Sequence, residues 1–151
     1  MNPGPVGTVK FKVIFVCIGN ACRSQMAEGF ARAYGSDVMD AASAGLMPTI
    51  SVPGMTRKVM LEKNLPIDAQ FPKGLELYNR ATFDLVVNMS GQVLPRRFQP
   101  MVRTWVVADP MGSSDGIFRQ VRDQIETLVM NLVLELRNKA QKQASQGQNK
   151  L

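Results

Sequence analysis

The sequence predicts an α/β fold in a single domain: a four-stranded parallel sheet flanked by helices. Short apolar runs rich in β-branched and aromatic residues alternate along the chain with stretches whose apolar residues recur at helical spacing. That alternation argues for parallel strands joined by helical crossovers. The length, 151 residues, is that of one ordinary domain with a sizeable core, and no internal repeat divides it.

The elements follow in order. Residues 1–10, MNPGPVGTVK, lack an apolar stretch followed by a cleavage site, so they read as a flexible lead-in and not as a signal peptide. Phe11 to Val16, FKVIFV, is a buried strand. Ala27, Phe30, Ala31 and Tyr34 then fall on one helical face that Gly35 ends. Val38 to Ala44 is the second strand. Val52, Met55, Val59 and Met60 form a second helical face, stopped by Asn64 and Pro66.

Phe83 to Met89 and Val102 to Val107 are the third and fourth strands, around the turn-like GQVLPRRFQP. After Asp109-Pro110, Ser113, Ser114 and Asp115 offer helix N-caps. The last helix carries Val121, Ile125, Leu128, Val129, Leu132 and Leu136 on one face. Its stripe lapses near Asn138, so the domain is expected over 11–138, with 139–151 a basic, Gln-rich flexible tail.

The net charge of +6 is concentrated in that tail. Arg137, Lys139, Lys142 and Lys150 lie in the last fifteen residues, which hold no acid, and without them 14 basic residues face 12 acidic ones. A short polar end of this kind is a solvated tail, and no nucleic-acid recognition pattern accompanies it. No run approaches the roughly 18 apolar residues of a membrane span. A cytoplasmic protein is expected, with no nucleic-acid or membrane partner.

The chain has two cysteines, Cys17 and Cys22, and no histidine. Ser-His and Cys-His catalysis are therefore excluded, and a zinc site or disulfide scaffold is not expected. What stands out is Cys17-Ile18-Gly19-Asn20-Ala21-Cys22-Arg23-Ser24 between the first strand and first helix. A thiolate is the nucleophilic form of cysteine, and helix N-termini and nearby cations stabilise it. Such a loop can turn backbone N–H groups inward as an anion cradle. Gly19 and Asn20 suit the backbone angles it needs. Arg23 can grip two oxygens of a tetrahedral oxyanion, and Ser24 can hydrogen-bond the sulfur. In a parallel sheet ligands lie beyond the carboxyl ends of the strands, which brings Asp109 toward the Cys17 loop.

VCIGNACRSQMAEGFA resembles the phosphate-binding loop of the low-molecular-weight protein tyrosine phosphatase superfamily, which includes thioredoxin-coupled arsenate reductases. Ser43-Ala44-Gly45, Phe83-Asp84-Leu85-Val86-Val87 and Asp109-Pro110 match further family elements in the right order. The resemblance implies that Cys17 carries a covalent cysteinyl-phosphate. Arg23 and the amides of Ile18 through Ser24 would hold the equatorial oxygens, and Asp109 would serve as general acid and then base. It further implies that Asn20 and Ser43 support the loop. Cys22 reads either as a redox partner for Cys17 or as a small buried hydrophobe. Asp109 reads as a turn former when taken alone and as the acid beside the loop match.

Within the superfamily, thioredoxin-coupled reductases pass the reaction to two cysteines after the third strand. Here that place reads Asn88-Met89-Ser90-Gly91, and no cysteine follows Cys22. The expected activity is therefore a cysteine-dependent phosphomonoester hydrolase, acting on a phosphorylated protein or small phosphomonoester without a cofactor. A reductase using an external thiol or glutaredoxin-type partner, and a non-catalytic binder of phosphate or arsenate, are the alternatives. SQMAEG, Trp105 and FRQVRD lie nearer the reductase branch. There a potassium ion accompanies the loop, which implies Asn20, Glu28, Ser43 and Asp68 as its positions here; the same residues also read as a hydrogen-bond network. The loops expected to carry aromatic pocket walls, Leu46 to Ile50 and Met111 to Ser114, hold no ring.

Overall fold

A computed structural model describes residues 9–149. In chain order the regular elements are β1 (Phe11–Cys17), α1 (Arg23–Tyr34), β2 (Met39–Gly45), α2 (Gly54–Leu61), β3 (Leu85–Asn88), β4 (Val102–Thr104) and α3 (Asp115–Asn149). The four strands form one parallel sheet in the order β2-β1-β3-β4. β1 is thus flanked on one side by the strand that follows it and on the other by the third. A crevice opens at such a reversal, beyond the carboxyl ends of the strands.

The alternation in β1 explains why it is central. Phe11, Val13, Phe15 and Cys17 face one apolar cluster, and Ile14 and Val16 face the other. A strand buried on both sides reads as a continuous apolar run. The first cluster packs α1 and α3 on the sheet through Met26, Phe30, Ile125, Val129 and Leu132. The second is smaller and uses Ala44, Leu75, Val86, Leu94 and Phe98. Nine consecutive residues of α1, Arg23 to Ala31, are buried, so this helix is covered on all sides of its first two turns.

Strands three and four are shorter than the apolar runs that mark them. β3 takes only Leu85–Asn88, and β4 ends at Thr104; beyond it Trp105 gives one further N–H bond to the Asn88 carbonyl at 3.0 Å, and Trp105 and Val107 are buried outside the strand. Ser114 caps α3, accepting the Ile117 N–H at 3.3 Å. The helix does not end where its apolar stripe lapses near Asn138: it continues through Asn149, so the stretch read as a flexible tail is helical over 139–149. Arg, Lys, Ala and Gln are strong helix formers, and extending a packed helix carries no nucleation cost. Residues 1–8 of the expected lead-in, and 150–151, lie outside the described residues. Among the described residues no helix is long and apolar enough to cross a membrane.

Candidate active site

The loop from Cys17 to Arg23 owes its shape to where its carbonyls go. Those of Cys17, Ile18 and Gly19 accept the N–H groups of Leu46, Met47 and Thr49, at 3.1, 2.8 and 3.0 Å. The Asn20 carbonyl accepts from the Gln25 side chain at 2.9 Å. With the carbonyls drawn outward, the N–H side of the loop is left for the pocket. Asn20 takes φ 49°, a left-handed conformation that Asn tolerates better than most residues. α1 opens without a side-chain cap or an acidic residue in its first turn, so its N-terminal donors keep their affinity for an anion. Gly45 is required beside the loop, because a Cβ there would lie 2.7 Å from both Asn20 N and Ile18 O.

Behind the loop a chain of hydrogen bonds runs to the sulfur. Ser43 donates to Glu28 Oε1 at 2.5 Å. The Asn20 amide nitrogen donates both to Ser43 Oγ at 3.0 Å and to Ser24 Oγ at 2.7 Å. Ser24 Oγ lies 2.9 Å from Cys17 Sγ. A hydroxyl has one proton to give; since Ser24 accepts from Asn20, its own proton is available to the sulfur. Asn20, Ser24, Glu28 and Ser43 are all buried.

Arg23 is buried, and its NH1 is fixed by the carbonyls of Met89, 2.6 Å, and Val107, 3.2 Å. Met89 is set in turn by a closed turn after β3. There Asn88 Oδ1 accepts the Ser90 N–H and hydroxyl, and Asn88 Nδ2 donates to the Gln92 carbonyl. The NH2 of Arg23 lies 3.6 Å from Asp109 Oδ2. Asp109 is half exposed, and its other oxygen accepts the Met111 N–H at 3.1 Å; it forms the turn and also reaches the guanidinium.

Cys17, Ile18, Gly19, Ala21, Cys22, Arg23 and Asp109 line one cavity of about 220 Å³ with Met47, Thr49 and Met111 at its apolar mouth. A sulfur, a guanidinium fork, a helix N-terminus and a carboxylate around one cavity are the kinds of group that can attack, hold and protonate a tetrahedral oxyanion. Cys22 shares the cavity, but burial pushes its thiol up to about 11 despite the Thr56 hydroxyl that donates to it at 3.2 Å. It is a neutral thiol near neutral pH.

Asn20, Glu28 and Ser43 meet behind the loop, but Asp68 does not join them: it is exposed and shares no hydrogen bond or ion pair with them among the described residues. In its place stands Lys73, whose ammonium lies 3.7 Å from Glu28 Oε1 and 3.5 Å from Ser43 Oγ. Arg32 takes the other Glu28 oxygen at 2.8 Å. A potassium ion does not fit this arrangement, because its oxygens already face two cations. Lys73 and Gln25 are the residues that sequence reading missed. Both act through the irregular segment 70–74, which carries no periodic pattern to point at the site.

The chain matches the family described as low molecular weight phosphotyrosine protein phosphatase over residues 12–143. It is 36% identical to the glutaredoxin arsenate reductase of Synechocystis sp. over 130 residues, 83% of this chain and 98% of that one. It is 31% identical to an arsenate reductase of Staphylococcus xylosus over 133 residues, with the same two shares, 83% and 98%. A solved structure described as an arsenate reductase in the phosphate binding state superposes with TM-score 0.78 at 35% identity, covering 83% of this chain and 98% of that chain. The arginine phosphatase YwlE from Geobacillus stearothermophilus has the same fold, with TM-score 0.79 at 23% identity, over 87% of this chain and 96% of that chain. By the extent of that match and the identity of these relatives, the chain belongs to the low molecular weight phosphotyrosine protein phosphatase family.

Proposed function

We propose that the chain is an arsenate reductase that draws its reducing thiol from outside. The observation that carries this is Cys17 Sγ at the base of the oxyanion-shaped cavity, in a chain whose relatives at 36% and 31% identity are named arsenate reductases. The phosphate-binding state of the 35%-identical structure supports a tetrahedral oxyanion as the guest. Read from its own cysteines the chain favours a hydrolase; the relatives move the balance to the reductase.

The chemistry follows from the groups present. The Cys17 thiolate attacks arsenic, Arg23 and the loop amides hold the oxygens, and Asp109 protonates the departing hydroxide to water. An external thiolate then attacks Cys17 Sγ. The S–S bond forms, the S–As bond breaks, and its electron pair reduces arsenic from the pentavalent to the trivalent state. A second external thiol resolves the mixed disulfide and returns Cys17. The donor is external because the only other cysteine, Cys22, is buried and protonated near neutral pH.

Phosphomonoester hydrolysis is the second reading, favoured by Ser90 standing where a relay thiol would be and by the Asp109 carboxylate at the rim. There Cys17 carries phosphate, and Asp109 protonates the leaving oxygen and then activates water. The purified chain is incubated with arsenate, a small thiol and glutaredoxin, and separately with a chromogenic aryl phosphate, each beside Cys17→Ser. Arsenite formation lost in Cys17→Ser supports the proposal. Aryl phosphate hydrolysis without arsenite replaces it with the second reading, and phosphate binding without either turnover makes the chain a binder.

A further inference from the structure

The segment Gln70 to Gly74 crosses the back of the Cys17 loop as a strap. Gln70 donates to the carbonyl and side-chain oxygen of Gln25, at 3.0 and 2.8 Å. Gln25 returns a bond to the Phe71 carbonyl at 3.1 Å while holding the Asn20 carbonyl. The Lys73 N–H donates to Asn20 Oδ1 at 2.9 Å, its carbonyl accepts Gly45 N–H at 2.9 Å, and Gly74 bridges Gly45. Each end of the strap is thus tied to a residue that shapes the loop.

The Lys73 side chain turns inward from this strap. Its side chain is 14% exposed, and its ammonium reaches the Phe71 carbonyl at 3.1 Å, Ser43 Oγ at 3.5 Å and Glu28 Oε1 at 3.7 Å. It also lies 5.2 Å from the Phe71 ring centre, within cation–π range. The Glu28 side chain is 2% exposed, and a buried carboxylate needs compensating charge. Arg32 supplies part of it from a side chain that is 61% exposed, where solvent weakens the pairing. Lys73 supplies the rest from inside.

We infer that Lys73 is a positioning residue whose ammonium serves as a built-in cation behind the loop, making this chain independent of a bound potassium ion. The fixed charge stands 3.7 Å from the same Glu28 oxygen that accepts the Ser43 hydroxyl, and so holds that acceptor in place. Ser43 therefore donates to Glu28 and accepts from Asn20, and Asn20 is held in the left-handed turn that shapes the cradle. A tethered cation has no dissociation equilibrium, so cradle geometry does not track the ionic medium. This rests on the loop being an oxyanion cradle.

The test compares inorganic phosphate affinity by calorimetry, and melting temperature, in potassium chloride and in tetramethylammonium chloride at equal ionic strength. The wild type is expected to behave the same in both salts. Lys73→Gln is expected to bind phosphate about tenfold more weakly in tetramethylammonium, the scale of a lost outer partner of a binding site, and to recover in potassium. The small cation can then occupy the oxygens of Phe71, Ser43 and Glu28. Lys73→Arg, which keeps the charge, remains indifferent to the salt. Potassium-specific gain of affinity or melting temperature in the wild type overturns the inference, as does equal phosphate affinity of Lys73→Gln and wild type in both salts. Should Lys73→Gln fail to fold, the wild-type and Lys73→Arg comparisons still decide. Failure of the wild type to bind phosphate counts against the cradle, and the melting comparison remains decisive for Lys73.

Discussion

Cys17 Sγ and Ser24 Oγ lie 2.9 Å apart at the end of a hydrogen-bond chain whose direction is set at its far end by Glu28. Glu28 takes the Ser43 proton, Ser43 takes one Asn20 proton, and the other Asn20 proton goes to Ser24, which frees the serine hydroxyl for the sulfur. Hydrogen bonds to charged groups are worth about 1.5–3 kcal/mol, and each ~1.4 kcal/mol is a decade in rate. Ser24→Ala is therefore expected to slow formation of the Cys17 adduct about 10- to 100-fold in single-turnover kinetics. An unchanged rate would take Ser24 out of the chemistry.

Asp109 does two things with two oxygens, and a substitution can separate them. Asn at this position still accepts the Met111 N–H through its carbonyl oxygen, so Asp109→Asn keeps the turn and removes the acid. General acid catalysis contributes roughly 10²–10⁴-fold. Turnover is expected to fall by that order with oxyanion binding retained, and the fall is largest for the worst leaving group. Equal turnover of Asp109→Asn and wild type, with loss only in Asp109→Gly, would reduce the residue to its turn.

The groups of the cavity floor were legible in the sequence because they are contiguous: Cys17 to Ser24 span one strand end and one helix start. Asp109 was reachable by a general rule, since the fourth strand of a parallel sheet ends on the same side as the first. Lys73 was not legible. Its segment has neither helical nor strand period, and its ammonium acquires meaning only when tertiary folding lays residues 70–74 against Gln25, Ser43 and Glu28. The end of α3 was misjudged for a different reason. An apolar stripe reports packing, and helix beyond Leu136 persists on propensity and continuity. The fourth strand was read too long because Trp105 and Val107 are buried in the apolar cluster they share with α3, while the ladder beyond Thr104 is down to one Trp105 N–H bond.

The link between α2 and α3 carries a pH signature of its own. Arg119 grips Glu62 through 2.9 and 3.0 Å contacts, Arg122 adds a third at 2.6 Å, and together they hold the Glu62 carboxyl near 2, from an ordinary value of 4.5. A depressed carboxylate binds fewer protons folded than unfolded, so its stabilisation is full above about 4.5 and fades as the pH falls toward 2. Wild type should melt above Glu62→Gln near pH 6, and the gap should close as the pH approaches 2. The site is exposed, so the gap should also shrink in high salt. A gap that widens on acidification contradicts the assignment.

Gly45 is where fold and cradle meet. It ends β2, bridges Gly74 of the strap, and lies so close to the loop that an added Cβ would stand 2.7 Å from Asn20 N and Ile18 O and 2.9 Å from Gly19 C. All three are backbone atoms, so no flexible side chain can swing aside. Overpacking of this kind costs about 1–3 kcal/mol, and here the displaced backbone includes the left-handed turn at Asn20. Gly45→Ala should therefore lower the melting temperature and weaken inorganic phosphate binding together. A control substitution, Gly54→Ala, meets nothing within 4 Å of its Cβ at the start of α2 and should leave phosphate affinity alone. If Gly45→Ala lost stability but kept full affinity, the loop would be shaped independently of β2, and the hold on its carbonyls by residues 46–49 and Gln25 would suffice for the cradle.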